Sequence, residues 1–250
     1  MKTILCMKWG TQYGPEFVNQ LYNGVQKHAS GDVRFVCLTD DASGLIDGIE
    51  ALPLPDIKLG AAHEMSGWRK ISSFSPALTK APYNITGTVL FFDIDMIVTE
   101  NLDDFWTYNP GEFCIIENWT QAGKGIGNSS VYRYEMEQMH WIFEDFEARF
   151  EEVYVQHDNE QMYLTRSVAT KQDVQWWPEA WCKSFKIHCM PNRFLRAFLT
   201  PKMPAECKIL VFHGPPKPMD AAIGKWVKHN GKKRTMRPAP WITDLWKTGS

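Results

Sequence analysis

The chain has 250 residues, 44% hydrophobic and 22% charged, enough to bury the core of one large α/β domain and unlike a disordered or fibrous sequence. A net charge of −2 supplies no global field to draw the molecule to nucleic acid, and no stretch approaches the roughly 20 apolar residues that span a bilayer. Six cysteines are scattered without a Cys-x-x-Cys, and Cys6, Cys37 and Cys114 lie inside apolar runs, so buried free thiols in a reduced, cytoplasmic protein are expected.

Thr3 to Lys8 reads as a buried strand, its apolar segment too short for a signal peptide. Trp9 to Pro15 is a loop with two glycines and two aromatics, and Pro15 suits the first turn of a helix. Phe17, Leu21, Tyr22 and Val25 then recur at helical spacing, predicting a helix to about His28. After the Ser30-Gly31-Asp32 turn, Arg34 to Leu38 is a second strand ending in Thr39-Asp40-Asp41. This βαβ beginning carries neither a Gly-x-Gly-x-x-Gly nor a Walker-type loop, which argues against dinucleotide or P-loop chemistry. Asp40, at a strand's carboxyl end, can accept from a ribose or a base, or cap a turn.

Ile49 to Leu54 reads as a short third strand. Trp68, Ile71, Phe74 and Leu78 approximate a helical stripe and leave Arg69 and Lys70 on another face, to meet a phosphate or solvent. The central feature follows. An apolar run, Thr88 to Phe92, ends in Asp93-Ile94-Asp95 before apolar residues resume. A continuous apolar run suits a strand covered on both faces. Residues one apart in an extended chain project to the same side, so two carboxylates at the strand's carboxyl end can share a cation, and hard divalent ions such as Mg²⁺ and Mn²⁺ suit them.

Asn101 to Trp106 reads as a capped short helix and Phe113 to Ile116 as a strand. Gly123 to Gly127 leads into a strand at Asn128-Ser129-Ser130-Val131-Tyr132, where small polar residues let a polar ligand approach. Tyr134 to Phe150 is expected to be an amphipathic helix. His157 to Leu164 is a polar cluster opening another helix, with Asp158, Asn159, Glu160 and Gln161 as candidates to face a cleft. Trp176 to Lys186 is aromatic and irregular, suited to walling a pocket. Lys208 to Phe212 is a further strand, followed by His213-Gly214-Pro215-Pro216-Lys217-Pro218, in which an imidazole can ligate a metal and a lysine can neutralise a diphosphate. From Ala221 to Thr243 there is no acidic residue, but six Lys or Arg together with Trp226 and Trp241. That tail is expected either to be solvated and mobile or to make a peripheral contact with an anionic membrane surface or acceptor. The parts divide as residues 1–220, a single catalytic-type domain, and 221–250, a basic tail.

The run Phe91-Phe92-Asp93-Ile94-Asp95, the segment Gly127 to Val131 and the segment Phe212 to Pro218, in that order and spacing, resemble the GT-A glycosyltransferases, especially the family-8-like enzymes related to glycogenin and bacterial lipooligosaccharide galactosyltransferases. The resemblance implies a mixed, mainly parallel sheet flanked by helices, with Asp-x-Asp at the end of a central strand. It implies that Asp93, Asp95 and His213 hold Mn²⁺ or Mg²⁺ against the diphosphate of a nucleotide sugar, most often UDP-linked. By the same resemblance Gly214 and Lys217 contact that diphosphate, Ile94 lies in the same donor segment, and Lys70 stands near the phosphates. Trp9, Gly10, Thr11, Tyr13 and Asp40 surround base and ribose, and Asn128 and Ser129 approach the donor sugar. Relatives carry an Asp-Gln pair beneath that sugar. Here two registers are open, Asp158-Asn159 and Glu160-Gln161, of which the second is preferred. The implied activity is transfer to a glycan, polysaccharide or lipid-linked hydroxyl with retention. A sugar nucleotidyltransferase and a non-catalytic nucleotide-sugar-binding module are the alternatives. A nucleic-acid partner is not expected.

Overall fold

The computed structural model describes residues 2–228 and 230–247, so His229 and the last three residues of the basic tail lie outside the described residues. β1 (Lys2–Lys8) leads into α1 (Pro15–His28), with Pro15 in the first turn and Glu16 and Lys27 complementing the helix dipole at its two ends. β2 (Val33–Thr39) pairs parallel with β1, and β3 (Glu50–Leu52) adds parallel outside it. Next comes a 3₁₀ segment, Gly67–Phe74, capped by the Ser66 hydroxyl. Trp68, Ile71 and Phe74, three residues apart, are all buried, which is the 3₁₀ period and explains why the stripe expected as α-helical takes the tighter form.

β4 (Thr88–Phe92) pairs parallel with β1 on the side opposite β2, and β5 (Met96–Val98) follows after Asp93-Ile94-Asp95. Then come α2 (Asp104–Thr107), β6 (Cys114–Glu117) and β7 (Gly127–Glu135). After them come α3 (His140–Gln156), α4 (Glu160–Ala169), β8 (Gln175–Trp176) and β9 (Cys182–Ser184). β10 (Ile209–Val211), α5 (Pro218–Ala222) and α6 (Trp241–Lys247) complete the described chain. The main sheet runs β3-β2-β1-β4-β7-β6-β8, and a second, smaller sheet runs β5-β10-β9. β7 is antiparallel to both β4 and β6, and the remaining pairs of the main sheet are parallel.

The alternation along each central strand feeds two cores. Leu5, Val36, Val89 and Phe91 pack on the α3–α4 face, and Ile4, Phe35, Leu90 and Phe92 pack on the α1 face. Burial on both faces is why these strands read as unbroken apolar runs. All six cysteines are free and buried. Among the described residues, no helix is long and apolar enough to cross a membrane.

Two expectations fail locally. Tyr134 does not begin a helix. It lies in β7 opposite Val89, 1% exposed, with its hydroxyl donating to the Ser73 carbonyl at 2.5 Å, and the helix starts only at His140. Its neighbour Tyr132 stacks on Phe91 at 4.5 Å, so cross-strand aromatic packing overrides a pattern that also fits a helix. The tail is not loose either: Lys232, Lys233, Arg234 and Arg237 are exposed, but its apolar residues are packed. Trp226, Met236, Ala239 and Ile242 are buried in a third core with Ile97, Leu210 and Phe212, and the Trp241 indole donates to the Pro201 carbonyl at 2.9 Å. Both tail tryptophans thus face protein, where burying their large apolar rings is favourable.

Arg133 is completely buried in β7. It donates to the carbonyls of Phe105, Tyr108 and Glu112 at 2.7, 2.6 and 3.2 Å, and to that of Asn109, tying the 105–112 segment to the sheet.

Candidate active site

β1, β2 and β4 run parallel, so the segments that leave their carboxyl ends meet at one edge: the loop from Trp9, the residue Asp40, and Asp93-Ile94-Asp95. The backbone N–H of Gly10 donates to Asp40 Oδ2 at 2.9 Å, which uses one oxygen of Asp40 to hold the loop. Gly10 has φ +62°, and a Cβ there would fall 2.1 Å from Met65 Cε, so glycine is required both for the turn and for the close approach of Met65. Trp9, Gln12, Tyr13, Met65, Lys70 and the Asp93–Asp95 segment, Ile94 included, line a cleft. Thr11 is exposed at its rim.

Each carboxylate of the pair faces a lysine. Lys70 Nζ stands 2.7 Å from Asp93 Oδ1 and 3.8 Å from Glu160 Oε1. Lys217 Nζ stands 2.5 Å from Asp95 Oδ2, lies over the Tyr13 ring, and also donates to the Tyr13 hydroxyl, which in turn donates to Asp95 Oδ2 at 2.8 Å. Burial pulls the Lys70 pKa down, but Asp93 and Glu160 outweigh it and hold the ammonium charged above its ordinary value. Burial pushes the Asp93 carboxyl up against the pull of Lys70, and Asp95 adds to the rise. Burial, then Asp95, keeps the Tyr13 hydroxyl protonated. Two carboxylates are therefore crowded together, each held by an ammonium group and Asp95 also by the Tyr13 hydroxyl, positive charge that a cation or an incoming ligand can rearrange.

Glu160 and Gln161 open α4 toward this cluster, because Asn159 caps the helix through its side-chain oxygen and Met162 N–H at 3.0 Å. Glu160 Oε1 accepts from the Ser129 hydroxyl at 2.9 Å, and Gln161 Oε1 accepts from Ser129 N–H at 3.4 Å. Lys70 also donates to Ser129 Oγ at 3.3 Å. Asn128 is buried beside them and accepts from Ser130 N–H at 3.2 Å. Asp158 is exposed in the turn before the helix and is not brought to the cluster.

His213 follows β10, whose pairing with β5 sets Phe212 N–H 3.1 Å from the Asp95 carbonyl. The register thus carries His213 to the end of the Asp-x-Asp segment. Its ring, however, bonds Ser184 Oγ through Nε2 at 2.7 Å and stacks on Trp119 at 5.5 Å. Burial, then Lys186, pulls its pKa down to about 4, so the imidazole is neutral. Gly214, at φ +70°, turns the chain after it toward Lys217. The expected three-ligand metal group is not assembled: among the described residues no three His, Cys, Asp or Glu side chains stand together as a cation site. The physical reason is that the lysines hold the carboxylates and Ser184 holds the imidazole. The donor set nonetheless fits Mg²⁺ or Mn²⁺ in type, with hard oxygens one residue apart and a neutral imidazole on the neighbouring strand end.

Sequence reasoning missed Met65 and Trp119, and gave Gln12 and Ser184 no role of their own within the Trp9–Pro15 loop and the Trp176–Lys186 stretch. Met65 sits in an irregular stretch after residues 61–63, and Ser184 ends a three-residue strand, so no periodicity marks either.

The chain shares its fold with solved glycosyltransferases. It is similar to the galactosyltransferase LgtC solved with donor and acceptor sugar analogues, at a TM-score of 0.62 and 15% identity over 98% of this chain and 95% of that one. It is similar to the glycosyltransferase GlyE of Streptococcus pneumoniae TIGR4, at a TM-score of 0.59 and 14% identity over 100% of this chain and 61% of that one. The mixed α/β, GT-A-type fold expected from the sequence is the fold found. No protein-family model matches the sequence, and no curated protein matches it.

Proposed function

We propose that this protein is a glycosyltransferase that moves a sugar from a nucleoside-diphosphate donor, a UDP-sugar, to the hydroxyl of a glycan, polysaccharide or lipid-linked acceptor, with retention of the anomeric configuration. The observation that carries this reading is the pairing of Asp93 with Lys70 and of Asp95 with Lys217 at the carboxyl edge of a sheet shared with known glycosyltransferases. Asp93, Asp95 and His213 would hold Mn²⁺ or Mg²⁺. Bound there, the ion would offset the negative charge that develops on the departing diphosphate.

The chain's own residues supply the rest. Lys217 and Gly214 meet the diphosphate, and Lys70 adds positive charge from the opposite side of the carboxylate pair. The Trp9–Tyr13 loop, with Gly10, Thr11 and the free oxygen of Asp40, receives base and ribose. Asn128, Ser129, Glu160 and Gln161 form the polar floor for the transferred sugar. The six buried free thiols support a reducing, cytoplasmic setting.

A thermal-shift panel of nucleotide sugars with Mn²⁺ identifies the donor, because a ligand specific to the native state raises the melting temperature. Turnover of that donor must then be lost in Asp95→Ala. Full turnover in that variant overturns the reading.

A further inference from the structure

A second, wider cavity opens against the His213-Gly214-Pro215 turn. Its charged lining is Lys186, Arg196, Lys228 and Arg234, and no Asp or Glu lines it among the described residues. None of these four cations forms an ion pair among the described residues, whereas Lys70 and Lys217 at the donor cleft do.

Arg196, Arg234 and Lys186 are held by specific contacts. The Arg196 and Arg234 guanidiniums lie 5.3 and 5.4 Å from the ring centre of Trp226, which is 6% exposed. Arg196 Nε donates to the Pro191 carbonyl at 3.2 Å, and the Arg234 backbone N–H donates to the Trp226 carbonyl at 2.9 Å. Lys186 donates to the carbonyl of His213. Burial lowers the Lys186 pKa, and Lys217 and Lys228 lower it further. Burial, then Arg234 and Arg193, does the same to Arg196. Asp95 offsets part of this at Lys186, but the four cations form no ion pair among the described residues and repel one another, and a bound anion relieves that repulsion. Planar guanidiniums packed on an indole, in a cavity that two ammonium groups also line, suit phosphate oxygens.

The geometry points to a phosphate site in this cavity, formed by Lys186, Arg196, Lys228 and Arg234, that seats the anionic part of the acceptor. The assignment to the acceptor rests on the glycosyl-transfer reading, since the cavity adjoins the turn assigned to the donor diphosphate. The phosphate site itself does not rest on it. The phosphate belongs either to a lipid headgroup or to a soluble phosphorylated glycan. Phe194 and Phe198, 79% and 76% exposed on the segment that carries Arg196, supply an apolar flank of the kind a lipid surface covers.

The test is calorimetric titration of the full chain with inorganic pyrophosphate in saturating UDP, which fills the donor cleft. Pyrophosphate is expected to bind under these conditions. In Arg196→Gln/Arg234→Gln its affinity should fall at least about tenfold, while UDP affinity changes by less than about twofold. Because those arginines pack on a buried tryptophan, Lys186→Gln/Lys228→Gln serves as the second variant and should show the same loss. Complete competition by UDP, or undiminished pyrophosphate binding in both variants, overturns the site. Pyrophosphate binding that the variants abolish, in protein that does not bind UDP, would sustain the site and sink the glycosyl-transfer reading. Co-sedimentation with phosphatidylcholine vesicles doped with phosphatidic acid, lost in the variants, identifies a lipid headgroup as the source. Pyrophosphate binding without co-sedimentation leaves a soluble phosphorylated glycan as the source, and absence of both pyrophosphate binding and co-sedimentation overturns the proposal.

Discussion

Lys217 Nζ lies 2.5 Å from Asp95 Oδ2, although 122 positions separate the two residues. The antiparallel pairing of β10 with β5, Val211 opposite Met96, places them together. An anionic diphosphate competes for the lysine and a cation competes for the carboxylate, so each ligand opens the pair for the other. Binding of UDP and of Mn²⁺ is therefore expected to be mutually reinforcing, by the reciprocity that linkage requires. Titrating UDP with and without Mn²⁺ checks this, and equal affinities in the two titrations contradict it.

Lys217→Ala is predicted to weaken UDP binding at least about tenfold, roughly 1.4 kcal/mol, through loss of a charge-assisted contact. Calorimetry reads the change directly. An unaltered dissociation constant would remove Lys217 from the donor site.

The two registers beneath the donor sugar are separable. Glu160 contacts Ser129 and faces Lys70, whereas Asp158 is exposed. Glu160→Gln is predicted to lower turnover by about 100-fold, the scale of one lost electrostatic contact at the reacting centre. Asp158→Asn is expected to leave turnover within about twofold of the parent. Steady-state rates decide between them, and the opposite ranking would restore the other register.

Arg133→Met should cost about 3 kcal/mol of stability. It fills similar space but leaves the carbonyls of Phe105 and Tyr108 without the guanidinium that donates to them. Urea denaturation monitored by tryptophan fluorescence gives the value, and a neutral effect would mean that water reaches those carbonyls.

Gly10→Ala combines two penalties. The left-handed backbone costs a residue with a Cβ about 1–2 kcal/mol, and Met65 must leave its place over the loop. Stability and UDP affinity are both expected to fall, as measured by denaturation and calorimetry. A fall in stability alone would detach the loop from nucleotide binding.

None of the six cysteines should react with a thiol reagent at pH 8 in the native protein, and all six should react in denaturant. Burial pushes Cys114 and Cys207 up to about 11 and Cys189 up to about 12, and burial raises Cys6 and Cys182 as well. A colorimetric thiol count checks this, and fast native labelling would contradict the packing of the strands that carry them.

By itself the sequence determined the parts whose signal is local. Period and punctuation placed β1, α1, β2 and β4 close to where they lie, because apolar runs covered on both faces and a proline-started helix need no distant information. They also singled out Asp93, Asp95, His213 and Lys217 as residues at strand ends. Local pattern misled at Tyr134, where pairing with β4 outweighs helical spacing, and in the tail, whose tryptophans read as free for a surface until a third core was there to bury them.

Only the tertiary structure decided which charge meets which. That Lys70 holds Asp93, that Lys217 holds Asp95, and that His213 turns to Ser184 depends on register between strands far apart in the chain. So does the convergence of Lys186 and Arg196 with the tail's Lys228 and Arg234 around one cavity. Side-chain electrostatics act over a few ångströms in space, and the chain carries no local mark of which distant segment folding will bring within that range.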